Sequence, residues 1–259
     1  MRPTLNDLIT WAKAAGEILR AGYNETKTIR YKGTVDLVTQ YDHLSEEYLI
    51  GQIRSHFPQD SIIAEESGLH EGNGGGQWYV DPLDGTVNYA HGVPIFCVSL
   101  AYGEDGEVKL GVVYDPLRDE CFSAEAGEGA SLNGQPIHVS PTTDLIHSLL
   151  VTGFPYDLLD TPNNNLDNFV LFSRKSQAVR RLGSAALDLC YVASGRLDGY
   201  WEIRLKPWDV AAGSLIVREA GGVVTGLNGE KDVLQPPCAV LTANPVLHPL
   251  MLAVLQDKV

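Results

Sequence analysis

The segment Trp78-Tyr79-Val80-Asp81-Pro82-Leu83-Asp84-Gly85-Thr86 carries an apolar run straight into two aspartates three positions apart. Carboxylates at the end of a buried strand need partners. Pro82 interrupts a β-ladder and Gly85 permits a sharp turn, so Asp81 and Asp84 can face one concavity. Carboxylates fixed on a strand end suit a hard cation such as Mg2+, which takes oxygen ligands and keeps positions for water and phosphate. The same spacing fits a polar turn whose carboxylates bond nearby amides. Two further acidic positions close elements in the same manner: Glu65 and Glu66 follow Ser61 to Ala64, and Asp209 lies in the first turn of a helix after Trp208. Solvation of the glutamates, and attraction of Asp209 to the positive end of its helix, are the simpler alternatives. His43, His56, His70, His91, His138, His147 and His248 are scattered without HExxH spacing, which disfavours zinc, and no histidine-containing triad can be assembled.

The elements that must position these groups can be read from periodicity. Thr4 precedes an amphipathic helix through Leu5, Leu8, Ile9, Ala12, Ala15, Ile18 and Leu19 that ends near Gly22. A second helix is expected from Asp42, its N-cap, to Phe57, stopped by Pro58. Strands are predicted at Ser61 to Ala64, Trp78 to Val80, Phe96 to Tyr102, Val108 to Tyr114 and Glu120 to Ala124. The stretch Leu69 to Gln77, with four glycines, reads as a flexible surface loop, and Gly103 to Gly106 as a turn. In the second half, Leu149 to Thr152 and Gly199 to Ile203 read as extended. Ser184 caps a helix over Ala185 to Ser194, closed by Gly195. Pro207 suits the first turn of a helix ending at Gly221-Gly222, and Val223-Val224 and Ala239 to Ala243 complete the strands. Helices and strands segregate into an α+β layered fold.

The chain has 259 residues, 44% hydrophobic, enough for a large core, and a formal charge of -14. Such a surface repels nucleic acid and anionic lipid, so neither is an expected partner. A small phosphorylated substrate is repelled too unless bound cations reverse the local field. Cys97, Cys121, Cys190 and Cys238 lie far apart and read as reduced packing residues. The first residues lack a signal-peptide pattern and no run approaches the roughly 18 apolar residues of a membrane span, so a cytoplasmic protein is expected.

Taken in order, Asp36-Leu37-Val38-Thr39 with Asp42, Ala64-Glu65-Glu66-Ser67, Asp81-Pro82-Leu83-Asp84-Gly85-Thr86, and Pro207-Trp208-Asp209-Val210-Ala211-Ala212-Gly213 before Glu219-Ala220-Gly221-Gly222 resemble the inositol monophosphatase family. The resemblance implies an α-β-α-β-α sandwich of the inositol monophosphatase and fructose-1,6-bisphosphatase type. Residues 1–140 would form an α+β half carrying most ligands. Residues 141–259 would carry Asp209 and the specificity residues within one catalytic unit. It implies two to three Mg2+ per site: Glu65, Asp81 and the Leu83 carbonyl on the first, Asp81, Asp84 and Asp209 on the second, and Glu65 with waters on a weaker third. Glu66 is then expected to support these ligands or to be solvated.

The implied activity is hydrolysis of inositol 1-phosphate to myo-inositol and phosphate by water, with Thr86 and Glu65 assisting that water and Asp42 orienting the water shell. Thr86 has the alternative role of a helix cap. The amides of Gly85 and Thr86 would bind phosphate oxygens. Asp84, Asp209, Gly183, Ser184, Ala185 and Glu202 would line the substrate, the last seven residues before Asp209; an ion pair of Glu202 with Arg204 is the alternative. Arg180, Arg181, Arg204 and Lys206 are candidates for a second phosphate. The wider superfamily leaves open fructose 1,6-bisphosphate, alone or as a dual activity, histidinol phosphate and 3'-phosphoadenosine 5'-phosphate; a non-catalytic metal-binding regulator is the alternative of another class. A homodimer acting on a small phosphorylated polyol or sugar is expected.

Overall fold

The computed structural model describes residues 2–158 and 160–256. Helix α1 (Leu5–Gly22) begins at Thr4, whose side chain accepts from the Asp7 amide while Asp7 bonds back to Thr4. The short strands β1 (Ile29–Tyr31) and β2 (Leu37–Thr39) form a separate two-stranded hairpin. Helix α2 is Gln40–His56. Its N-cap is Thr39, not Asp42. Asp42 is the third helical residue and accepts a hydrogen bond from the Thr39 amide at 2.8 Å, completing a capping box. The correction matters because it leaves the other Asp42 oxygen for a different partner.

A mixed eight-stranded sheet follows, from β3 (Ser61–Ala64), β4 (Gly68–His70), β5 (Gly76–Asp84), β6 (Cys97–Glu104), β7 (Glu107–Asp115), β8 (Glu120–Glu125), β9 (Gly129–Leu132) and β10 (Gln135–Pro136). Its order is β10-β9-β8-β7-β6-β5-β3-β4. The Leu69 to Gln77 stretch is thus only partly a loop: its ends belong to β4 and β5, and Gly74 donates to the Gln59 carbonyl at 2.7 Å. Gly103 likewise lies within β6, so the turn before β7 narrows to Asp105-Gly106, both with positive φ. The five-residue helix α3 (Thr86–Ala90) connects β5 to β6.

A second sheet, of five strands, contains β11 (Leu149–Thr152), β12 (Ala178–Arg180), β13 (Gly199–Leu205), β14 (Val223–Thr225) and β15 (Cys238–Ala243), ordered β12-β11-β13-β15-β14. It is interleaved with α4 (Leu166–Lys175), α5 (Ala185–Ala193), α6 (Pro207–Glu219) and α7 (Leu247–Gln256). Helices α1 and α2 cover one face of the large sheet around Trp11, Trp78 and Leu49. Helices α5 and α6 fill the space between the sheets, where Val113, Phe122, Leu189, Ile216 and Val240 share one core. Helices α4 and α7 cover the outer face of the small sheet around Phe172, Trp201 and Met251. The resulting α-β-α-β-α layering is the expected one. Helix α6 is nearly all buried because both its faces meet apolar surface.

Candidate active site

Strands β3 and β5 are parallel neighbours with Ala64 opposite Val80. Parallel pairing brings the C-terminal ends of two strands to the same edge, so Glu65 and Asp81, each one residue beyond that rung, become neighbours. The Glu65 amide continues the ladder to the Val80 carbonyl at 3.1 Å. A register shift between Asp81 and Asp84 against β6 follows Pro82, and Gly85 at φ 96 turns the chain into α3. A side chain at Gly85 would stand 2.9 Å from the Ile95 carbonyl, so glycine is required by both conformation and space.

The second half closes on this edge through Asp84, whose Oδ2 accepts from Ser184 Oγ and from the Ala186 amide, both at 2.7 Å. The start of α5 is therefore fastened to the end of β5. Asp209, at the first turn of α6, accepts from the Lys206 amide at 2.7 Å. Asp81 accepts from the Leu83 amide at 3.1 Å. Each of these aspartates thus has one oxygen fixed by a backbone donor.

Together they wall a cleft of about 380 Å³. Seven carboxylates line it (Asp36, Glu65, Asp81, Asp84, Asp188, Glu202 and Asp209), against four basic side chains, Lys32, Arg181, Arg204 and Lys206. Burial raises the carboxyls of Asp81, Asp84 and Asp209 above the ordinary range, and repulsion from neighbouring acids adds to the rise at Asp81 and Asp209. Glu65 is pushed up to about 7, by burial first, with Lys32 opposing the shift. The carboxylates gain from positive charge that the protein alone does not supply.

Thr86 is buried, and its hydroxyl donates to the Leu83 carbonyl at 2.9 Å and approaches Asp42 Oδ1 at 3.1 Å. The residue at the N-cap of α3 is Gly85, without a side-chain cap, so Thr86 is not the cap. Asp42 itself lies fully buried behind the cleft, its carboxyl raised by burial and held down by Thr39 and Thr86. Leu83, Gly85, Thr86, Gly183, Ser184 and Ala185 all line the cleft.

Glu202 is buried and accepts from the Tyr200 hydroxyl at 2.7 Å; it does not pair with Arg204. Arg204 sits at a register shift of β13 with φ 62 and bonds instead to Asp157 at 2.6 Å and Thr161 at 3.1 Å. Arg180 lies outside the cleft lining, whereas Arg181, Arg204 and Lys206 are within it. Glu66 is not solvated: its side chain is buried and paired with Lys32. Lys32, Asp36, Tyr156 and Asp188 belong to the cleft without having been singled out as site residues. From the connection between β1 and β2, Lys32 bonds Glu65 at the end of β3 at 3.1 Å, a contact no local spacing encodes. Asp188 did leave a trace, a lone acid within the apolar run Ala185-Ala186-Leu187-Asp188-Leu189-Cys190.

The donors fit a hard divalent cation. They are carboxylate oxygens with a backbone carbonyl beside them, and no thiolate or imidazole lines the cleft. Among the described residues no three acidic, histidine or cysteine side chains already form a tight cage.

The layering is that of solved phosphatases of the inositol monophosphatase fold. The chain belongs to the inositol monophosphatase family, whose model matches residues 1–259. It is 47% identical over 229 residues to an inositol-1-monophosphatase of Synechocystis sp., covering 85% of this chain and 80% of that one. It is 45% identical over 240 residues to a Nus factor SuhB of Pasteurella multocida, covering 90% and 89%. The solved inositol monophosphatase of Anabaena (Nostoc) sp. superposes with a TM-score of 0.89 at 44% identity, over 98% of this chain and 95% of that one.

Proposed function

We propose that the protein is a Mg2+-dependent phosphomonoesterase that hydrolyses inositol 1-phosphate to myo-inositol and phosphate. The convergence of Glu65, Asp81, Asp84 and Asp209 from three elements on one cleft, with all four carboxyls raised by burial, carries the reading. Those four side chains and the Leu83 carbonyl would hold the cations. Bound Mg2+ supplies the positive charge that neutralises phosphoryl oxygens and the leaving alkoxide, and makes water acidic enough to act as nucleophile.

The chain's own groups do the rest. Thr86, anchored to Leu83 and Asp42, orients the attacking water with Glu65, which receives its proton. Amides of Gly85 and Thr86 hold phosphate oxygens. Gly183, Ser184, Ala185, Glu202 and Asp209 face the alcohol that leaves. Phosphate release with Mg2+ should be measured across inositol 1-phosphate, fructose 1,6-bisphosphate, histidinol phosphate and 3'-phosphoadenosine 5'-phosphate. Inositol 1-phosphate should give the highest kcat/KM; a higher value for another ester reassigns the substrate, and no release from any of them overturns the enzymatic reading.

Two observations favour second readings. Arg181 and Lys206 in the cleft suit the additional phosphate of fructose 1,6-bisphosphate, as a dual activity. The relative named Nus factor favours a regulatory role, alone or beside catalysis. A purely regulatory protein has no use for buried, mutually repelling carboxylates beside an anchored threonine hydroxyl, so the catalytic reading is preferred.

A further inference from the structure

Asp188 lies one turn into α5 with 1% of its surface exposed, and it lines the cleft. Its Oδ1 is buried without a hydrogen-bond partner among the described residues. Ser184, not Asp188, caps the helix. Burying a carboxylate without partners costs stability, so the fold gains nothing from this acid as it stands. Glu202 of β13 stands in the same wall and is seated by Tyr200, while Gly153 leaves space for it: a Cβ there would fall 2.2 Å from its carboxylate oxygens. Arg181 is near enough to both acids to oppose the rise in their pKa. Asp188 therefore offers a buried acceptor that a hydrogen-bond donor bound in the cleft would satisfy.

We propose that Asp188 and Glu202 form a two-acceptor subsite for adjacent hydroxyls of the leaving alcohol, which makes Asp188 a specificity-determining residue for phosphorylated polyols. This rests on the phosphatase reading of the cleft. Each carboxylate accepts from a different hydroxyl, so an alcohol with one hydroxyl or none leaves at least one acceptor unmatched, and the unmatched group is penalised.

Asp188→Leu removes the acceptor while keeping the branched outline of the side chain, and the isosteric Asp188→Asn keeps one oxygen acceptor. With Mg2+, kcat/KM for inositol 1-phosphate should fall about 10- to 100-fold in Asp188→Leu and less in Asp188→Asn. The loss on p-nitrophenyl phosphate should be at least about tenfold smaller. The melting temperature of both variants should equal or exceed that of wild type, because an unpaired buried carboxylate has been removed. Equal losses on both esters with a lower melting temperature would make Asp188 structural and overturn the proposal, as would no loss on either. If the wild-type chain releases phosphate from no ester, the phosphatase reading fails on its own. The subsite is then decided by saturation-transfer NMR with myo-inositol: signals present with wild type and lost in Asp188→Leu support it, and signals absent from wild type or unchanged in the variant overturn it.

Discussion

Thr86 Oγ1 lies 3.1 Å from Asp42 Oδ1, although the two residues are 44 positions apart. The other Asp42 oxygen is held by the Thr39 amide, so the capping box of α2 fixes the carboxylate that steadies the threonine. A helix N-terminus and a cleft hydroxyl thereby share one buried acid.

Thr86→Ala should lower kcat about 10²- to 10⁴-fold, the range for loss of a positioned proton-transfer partner, while the Mg2+ dependence stays close to that of wild type. Steady-state kinetics over a Mg2+ series check this. Thr86→Ser retains the hydroxyl and should recover most of the rate. An unchanged kcat in Thr86→Ala would leave the hydroxyl with only its bonds to Leu83 and Asp42.

Asp81→Asn should reduce phosphate release to near background even at saturating Mg2+. In EDTA, the same variant should melt about 2–4 °C higher than wild type, because a buried charge facing Glu65, Asp84 and Asp209 has been neutralised. Activity within a few-fold of wild type would remove Asp81 from the cation site.

Without added metal, stability should fall as the pH rises. Glu65 and Glu202 have folded-state values pushed up to about 7 from an ordinary 4.5. Between those values the folded chain keeps protons that the unfolded chain has released. The unfolded state binds fewer, so the contribution of these two groups to stability is fully present below 4.5 and is lost as pH climbs to about 7. Melting curves in EDTA across this window should show the decline. Mg2+ should raise the melting temperature most at the alkaline end, where the carboxylates are free to bind it. A melting temperature independent of Mg2+ throughout would count against a cation site.

Glu202→Ala should cost about 10- to 100-fold in kcat/KM for inositol 1-phosphate, as expected for one charge-assisted hydrogen bond made in the transition state. Gly153→Ala should reproduce part of that loss without touching the acid itself, since the new methyl must displace the Glu202 carboxylate. Both variants should keep the wild-type Mg2+ dependence. A shifted Mg2+ dependence in Glu202→Ala would assign the residue to cation binding instead.

Local chemistry was written plainly in the chain. Thr4, Ser184 and Pro207 mark helix starts because their side chains or ring satisfy the terminal geometry themselves, and the structure places α1, α5 and α6 there. The acids Glu65, Asp81, Asp84 and Asp209 were legible because charges that end apolar elements stand out against their surroundings. Asp42 reads as a cap in the sequence because a capping box puts an acceptor at both its ends, and sequence alone does not say which one begins the helix. Contacts between distant segments left no comparable signal. Parallel pairing of β3 with β5 makes Glu65 and Asp81 neighbours, Ser184 locks α5 onto Asp84, and the β1–β2 hairpin brings Lys32 to Glu65 and Glu66. Lateral register and interlayer packing set these relations, and neither is encoded in spacing along the chain. Asp188 is the sharpest instance: the apolar run around it predicts a buried helix, but only the folded cleft shows that its Oδ1 is buried there without a hydrogen-bond partner among the described residues.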